Sequence, residues 1–133
     1  MIYLDTTAML KLIAQAPETE SLTDYLTART DTVWFTCALS RAELLRATAP
    51  LPAEATEHAH HVLAGLDTVA LTDRLLAAAV ALNPAPRRTL DALHIAAALT
   101  AGAQLHTLVT YDPELTDAAN RHHITTTHPG GSL

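Results

Sequence analysis

The sequence has little basic charge, a single cysteine and no long apolar run. Eight Lys and Arg residues stand against 14 Asp and Glu residues, which gives a formal net charge of −6 at pH 7. This balance argues against a protein that holds nucleic acid by bulk charge, because such binding relies on many phosphate contacts from basic side chains. A nucleic-acid substrate would need local basic residues or metal ions.

The scarcity of cysteine and of long apolar runs bears on the cellular compartment. Cys37 is the only cysteine, so the chain cannot form an intramolecular disulfide. Met1 leads directly into an apolar run, without the basic segment or the small-residue cleavage site of a secretory signal. No apolar run approaches the roughly 20 residues that span a bilayer. We therefore expect a cytoplasmic protein that is not inserted into a membrane.

The length and the apolar content indicate one domain. A chain of 133 residues, 49% of them hydrophobic, can bury a core of ordinary size. No internal repeat or low-complexity tract divides it. We expect a single domain over residues 1–133, with a frayed tail from about residue 128.

Short apolar runs alternate along the chain with segments of helical spacing. The spacing predicts strands at residues 1–4, 32–36, 68–71 and 105–109. It predicts helices at 6–13, 18–28, 40–49, 53–66, 72–82 and 89–100, and one more that opens at Asp112 and Pro113. In the helix at 72–82, the expected inward positions are Leu75, Leu76, Ala79 and Val80. Such alternation is typical of an α/β fold with a mostly parallel central sheet and helices on both faces.

Four acidic residues lie at or just after the predicted starts of helices. Each has a structural explanation: Asp5 follows a strand, Asp91 lies in a first helical turn, and Asp112 precedes Pro113 as an N-cap. Glu43 stands three residues after Ser40, as in a capping box. Capping alone is therefore an adequate account of any one of them.

The shared position of these acids suggests a second role. In an open parallel sheet, the helices that follow strands begin at the carboxyl edge, where ligands bind, so several of the acids should meet in one crevice. Neighbouring carboxylates raise one another's pKa unless a cation neutralises them. Oxygen ligands suit hard cations such as Mg²⁺ or Mn²⁺. The sequence thus favours a metal site without excluding caps.

Four segments of the chain resemble, in order, the motifs of PIN domains, and the chain has the length of the VapC-type toxins of VapBC toxin-antitoxin pairs. These segments are residues 2–8, 40–44, 90–98 and 110–115. The resemblance implies an RNA-cleaving fold whose acidic metal ligands are Asp5, Glu43, Asp91 and Asp112. It also implies supporting hydroxyls at Thr6, beside the first acid, and at Thr110, ahead of the fourth.

The same resemblance implies an activity and partners. The expected function is that of an Mg²⁺- or Mn²⁺-dependent endoribonuclease, the toxin of a type II toxin-antitoxin pair, which cleaves RNA with metal-activated water. The expected partners are a VapB-like antitoxin, whose basic side chain can enter the acidic crevice, an RNA substrate and a second copy of the chain.

Three other functions remain as alternatives. A phosphatase or phosphoacceptor domain would use Asp5 as nucleophile, but Thr7 stands where a haloacid dehalogenase has its second Asp. A receiver domain would want a Lys after a late strand, where Thr110 and Tyr111 stand. A noncatalytic interaction protein would use its acids only as caps, and a housekeeping PIN nuclease would lack the toxin role.

Basic residues near the acids are candidates for RNA contact. Arg87 and Arg88 precede Asp91, whereas Lys11 and Arg46 follow Asp5 and Glu43 by one or two helical turns. Salt bridges to surface acids explain them equally well.

The histidines and one further acid have simpler explanations. His94 lies one turn after Asp91 and is expected to pack or to form hydrogen bonds. Surface positions are expected for His58, His60, His61, His122 and His123, and Asp117 is expected at a solvated helix position.

Overall fold

The protein is an α/β domain, described here from a computed structural model over residues 1–131. The strands are Ile2–Leu4 (β1), Trp34–Cys37 (β2), Asp67–Val69 (β3), Thr107–Val109 (β4) and Thr126–Thr127 (β5). The helices are Thr6–Ile13 (α1), Thr19–Thr27 (α2), Ala38–Thr48 (α3), Ala53–Ala64 (α4), Asp73–Val80 (α5), Thr89–Leu99 (α6) and Pro113–Arg121 (α7). A short 3-10 helix, Gly102–Gln104, precedes β4. Over these residues, no helix has the length and apolar character needed to cross a membrane.

The five strands form one parallel sheet in the order β3-β2-β1-β4-β5. The chain moves outward from β1 in one direction through β2 and β3, and in the other through β4 and β5. The carboxyl ends of β1 and β4 therefore flank the point where the strand order reverses, which is where open parallel sheets bind ligands.

The alternation of side chains along β1 divides the core between the two faces of the sheet. Ile2 and Leu4 point into a cluster that α1 to α4 cover, whereas Tyr3 points into a cluster that α5 to α7 cover. The prediction of a mostly parallel sheet with helices on both faces is confirmed.

Three local predictions need correction. Helix α3 begins at Ala38 with Cys37 as its N-cap, so Ser40 lies inside the first turn, fully buried, and forms no capping box with Glu43. In α5, Leu75 is buried, but Leu76 is 42% exposed and Val80 is 86% exposed. This short helix buries only a narrow stripe, and the sequence pattern overestimated its width.

The third correction concerns the C-terminal region, where the sequence predicted no strand. The two residues of β5 pair with β4, Leu108 opposite Thr126 and Val109 opposite Thr127. Two residues are too few for a detectable periodicity. The predicted frayed tail falls partly on residues 132–133, which lie outside the described residues. Before them, the Tyr111 hydroxyl donates to the carbonyl oxygen of Pro129 (2.7 Å).

Candidate active site

A crevice of about 160 Å³ opens at the carboxyl ends of β1 and β4 and contains all four predicted acids. Its lining comprises Asp5, Thr6, Thr7, Glu43, Arg88, Leu90, Asp91, His94, Asp112 and Leu115. The four acids belong to four different helices, two as N-caps and two within the first two turns, and they are separated by up to 107 positions in sequence, from 5 to 112. The fold thus brings the sequence-predicted acids to one place.

Asp5 forms the floor of the crevice, where its side chain is only 2% exposed. It is the N-cap of α1 and accepts hydrogen bonds from Ala8 N (2.9 Å), Thr7 Oγ1 (2.7 Å) and Thr110 Oγ1 (2.6 Å). Burial raises the pKa of Asp5, and these three hydrogen bonds only partly offset that rise. A nearby cation would favour the charged carboxylate further.

Glu43 lies in the second turn of α3, and its side chain is 34% exposed. Its Oε1 accepts a hydrogen bond from Thr6 Oγ1 (2.8 Å), and His94 Nε2 lies 3.7 Å away. These contacts orient the carboxylate toward the crevice. Because the N-cap of α3 is Cys37, capping does not explain Glu43.

Asp91 and Asp112 share one cationic partner, Arg88. The Arg88 guanidinium donates to both oxygens of Asp91, through Nε (2.7 Å) and Nη2 (2.8 Å). Its Nη2 also donates to Asp112 Oδ2 (2.5 Å). Burial opposes ionisation of Asp112, but the Arg88 contact and the backbone N–H of Glu114 outweigh it and lower the pKa of Asp112. Asp112 caps α7 through its other oxygen, whereas Asp91 caps no helix and is 3% exposed.

The donor set of the crevice fits a hard divalent cation better than it fits Zn²⁺. The four acids supply carboxylate oxygens, and the crevice contains no cysteine. Even so, within residues 1–131 no three His, Cys, Asp or Glu side chains are grouped closely enough to hold an ion as they stand. Arg88 supplies the positive charge at two of the acids instead.

Behind Glu43, a buried polar cluster holds His94. His94 Nδ1 is hydrogen-bonded to the Tyr3 hydroxyl (2.8 Å) and lies 3.4 Å from Ser40 Oγ. Burial alone would lower the pKa of His94, but contact with Cys37 and nearby carboxylate charge raise it above the usual value. The expectation that His94 forms hydrogen bonds is confirmed, and its imidazole faces Glu43 from inside the protein.

Two residues at the site were not singled out from the sequence. Thr7 donates to Asp5 and accepts a hydrogen bond from Tyr111 N (2.9 Å), so it joins the loops after β1 and β4. Glu114 pairs with both Arg87 and Arg88. The available signals were a second hydroxyl after Asp5 and an acid in the first turn of α7, and neither is specific.

The predicted basic residues differ in their contacts. Lys11 pairs with Glu18 (2.9 Å) and lies over the Tyr111 ring, away from the crevice lining. Arg88 lines the crevice, Arg87 lines an adjoining cavity of about 340 Å³, and Arg46 is exposed on α3. Contact of any of them with RNA stays a prediction.

The remaining residues that the sequence analysis considered lie outside the crevice. His58, His60 and His61 are exposed on α4. Asp117 pairs with Arg121 one turn later on α7, at 65% exposure. His122 Nε2 lies 2.7 Å from the carbonyl oxygen of Pro84, and His123 is exposed with a φ of 61°.

Comparison with known proteins places this geometry in a family. The PIN-domain family model matches residues 2–121. Ribonuclease VapC35 of Mycobacterium tuberculosis is 41% identical, and ribonuclease VapC47 of the same species is 39% identical. Each alignment covers 98% of this chain and 98% of the relative.

Solved structures share the fold at low sequence identity. The VapBC2 complex of Rickettsia felis, crystallised with a DNA fragment from its promoter, contains a chain with a TM-score of 0.74 and 17% identity. That match covers 96% of this chain and 98% of the other. Mycobacterium tuberculosis VapC20, described as a toxin that cleaves the sarcin-ricin loop, matches with a TM-score of 0.71 and 15% identity, over 97% of this chain and all of VapC20. On its sequence, fold and acidic crevice, the chain belongs to the PIN-domain family, among the ribonucleases named VapC.

Proposed function

We propose that this protein is an endoribonuclease that uses Mg²⁺ or Mn²⁺ and acts in the cytoplasm as the toxin of a type II toxin-antitoxin pair. The observation that carries the proposal is the meeting of Asp5, Glu43, Asp91 and Asp112 in one crevice at the reversal of strand order. The names of the relatives, all ribonucleases, support the choice of RNA as substrate.

The catalytic proposal assigns a role to each group of residues. The four acids would hold the divalent cation. When bound, the cation supplies a Lewis acid that polarises the phosphate and lowers the pKa of a bound water. Thr7 and Thr110 hold Asp5 in place from two sides, and Thr6 orients Glu43.

Arginine side chains beside the crevice are candidates for contact with the RNA backbone, although the cavity they line also contains Asp91, Glu114 and Asp117. Arg87 lines the adjoining cavity, and its side chain is 78% exposed despite its pairing with Glu114. Arg121 and His122 line the same cavity. Phosphate contacts of this kind position a nucleic acid without reading its sequence. We assign Arg87 and Arg88 as the first candidates for such contacts, and Lys11 and Arg46 as more distant ones.

A noncatalytic role explains the crevice less well. If the acids served only as helix caps, each would lie at an N-cap, as Asp5 and Asp112 do. Glu43 and Asp91 lie inside their helices and cap nothing, yet both line the crevice. A housekeeping nuclease would have the same crevice, so the toxin role rests on the relatives and needs its own test.

We test the toxin role by growth. Expression of the wild-type chain alone is expected to stop growth of a bacterial host, because uncontrolled RNA cleavage blocks translation. A co-expressed small partner, encoded next to this chain, should restore growth and co-purify with it. The Asp5→Asn variant, expressed at the same level, is the matched control and should be harmless. If wild-type expression is harmless and RNA stays intact in extracts, the toxin role is wrong.

We also propose that the protein forms a homodimer and that a second copy of the chain binds at α5. Leu76 and Val80 are exposed there, beside an apolar cavity of about 260 Å³ to which Pro86 and Leu93 also contribute. Exposed apolar patches of this kind are typical of protein interfaces.

A charge at the centre of this surface should break the dimer. Val80→Glu is expected to convert a dimer of the wild type into a monomer in sedimentation velocity, because a buried unpaired carboxylate is costly. Val80 is 86% exposed, so the fold should not change. Ala64→Glu, at the exposed end of α4, is the control and should remain dimeric. A wild type that is monomeric, or a Val80→Glu variant that still dimerises, contradicts the assignment of this surface.

A further inference from the structure

Arg88 makes more ionic contacts than any other basic residue in the described part of the chain. Its guanidinium contacts both oxygens of Asp91, one oxygen of Asp112 and, through Nε, Glu114 Oε2 (2.6 Å). It occupies the N-cap position of α6, three residues before Asp91, and its side chain is 38% exposed. One guanidinium thus neutralises two of the four acids of the crevice.

The acids of the crevice differ in the charge of their partners. Asp5 and Glu43 accept hydrogen bonds from threonine hydroxyls and a backbone N–H, and no arginine or lysine among the described residues contacts them; the nearest ionisable base to Glu43 is His94, whose Nε2 lies 3.7 Å away. Asp91 and Asp112 are bound to a fixed positive charge. A divalent cation at those same carboxylates would lie within a few ångströms of the guanidinium, and the repulsion at that distance is large in a partly buried site.

The pairing of Arg88 with Asp91 and Asp112 agrees with the grouping of the acidic side chains in the described part of the chain. Within residues 1–131, no three acidic, histidine or cysteine side chains are grouped to hold an ion. The Arg88 side chain lies at the rim of the crevice and is 38% exposed, so its guanidinium can leave the acids by rotation about its own side-chain bonds.

We propose that Arg88 is a built-in counter-ion that competes with the divalent cation for Asp91 and Asp112. The protein alone is then held with these carboxylates paired to Arg88, and metal binding requires that the guanidinium leave them. The inference rests on the proposed function for the identity of the cation, but it concerns the binding of the ion and not the cleavage of RNA.

The test is a Mn²⁺ titration of the purified full-length chain, followed by calorimetry or by the electron paramagnetic resonance signal of free Mn²⁺. Arg88→Ala and Arg88→Gln are expected to bind Mn²⁺ at least about tenfold more tightly than the wild type, because a like charge beside the ion is removed. Arg87→Ala is the matched control. It removes the same charge from the neighbouring position, where Arg87 pairs with Glu114 alone, and should change the affinity by less than about twofold.

A second measurement separates competition from a general effect on folding. Without metal, Arg88→Ala should melt at a lower temperature than the wild type, because Asp91 is buried and loses its partner. Saturating Mn²⁺ should raise the melting temperature of this variant by more than it raises that of the wild type. Arg88→Gln, which is shorter and uncharged but keeps an N–H donor group, serves if the alanine variant does not fold.

The outcomes are distinct from those of the proposed function. Unchanged or weaker Mn²⁺ binding by both Arg88 variants would overturn the proposal and would mean that Arg88 holds the ligands in position for the ion. The absence of Mn²⁺ binding in every variant would overturn it too. Tighter binding by the Arg88 variants, together with a wild type that cuts no RNA, would support the counter-ion and refute the nuclease.

Discussion

Replacement of any one of the four crevice acids by its amide is expected to reduce RNA cleavage by about a hundredfold or more. The reason is that each amide removes a charged oxygen ligand, and the metal contributes several kcal/mol of transition-state stabilisation, of which about 1.4 kcal/mol corresponds to tenfold in rate. The variants are Asp5→Asn, Glu43→Gln, Asp91→Asn and Asp112→Asn.

The fold should tolerate these changes. Asn is as good an N-cap as Asp, so Asp5→Asn and Asp112→Asn can keep the hydrogen bonds that begin α1 and α7. Asp91→Asn weakens the pairing with Arg88 and is expected to be the least stable of the four. If the acids were only caps, the result would instead be a stability loss of typically ~1 kcal/mol with cleavage retained.

Melting temperature and cleavage rate, measured on the same preparations, distinguish the two cases. Asp24→Asn is the matched control, since Asp24 is exposed on α2 and lines neither the crevice nor the adjoining cavity. It should leave both quantities unchanged. If all four crevice variants still cut RNA in the presence of Mg²⁺, the metal site is not at these residues.

Removal of divalent cations by EDTA is expected to stop cleavage completely, and readdition of Mg²⁺ or Mn²⁺ to restore it. The products should carry a 5′-phosphate and a 3′-hydroxyl, with no 2′,3′-cyclic phosphate at any stage, because water and not the 2′-hydroxyl is the nucleophile. A substrate with a 2′-deoxy sugar at the cut position should therefore still be cleaved.

The alternative chemistry for this reaction needs a general base and a general acid, for which histidines are the usual groups. Only His94 lines the crevice in the described part of the chain, and its Nδ1 is hydrogen-bonded to Tyr3 inside the core. One imidazole that is hydrogen-bonded to the core cannot readily serve as both the general base and the general acid. Cyclic phosphate ends in mass spectrometry, or activity that survives EDTA and disappears in His94→Ala, would show that water on a metal is the wrong nucleophile.

Where the sequence carried a short-range signal, it predicted the structure closely. The predicted helix at 6–13 has the same bounds as α1, and Asp112 with Pro113 begins α7 as expected. Caps and helix starts are determined by residues three or four positions apart, which any reader of the sequence can see. The order of the helices and of the first four strands, and the positions of Asp5 and Asp112 as N-caps, follow from the same local patterns.

The errors arose where burial depends on distant parts of the chain. Val80 is apolar and correctly spaced for an inward position, yet it is 86% exposed, because within residues 1–131 no other element covers that side of α5. Ser40 looked like an N-cap, but α3 begins two residues earlier, at Ala38, directly after β2 ends at Cys37. Periodicity predicts which side of a helix is apolar and does not reveal what lies against it.

The sequence by itself determined the α/β class and the family, and it predicted the four acids that meet in the crevice, since these are encoded in local patterns and ordered motifs. Only the tertiary structure decided how the acids are partnered. Thr110 reaches Asp5 across 105 positions of sequence, Tyr3 reaches His94 across 91, and Arg88 spans from Asp91 to Asp112. These contacts depend on β1 lying beside β4 in register, and on the rotamer of one arginine. Neither is a property of neighbouring residues in the chain, so no local pattern could have predicted them.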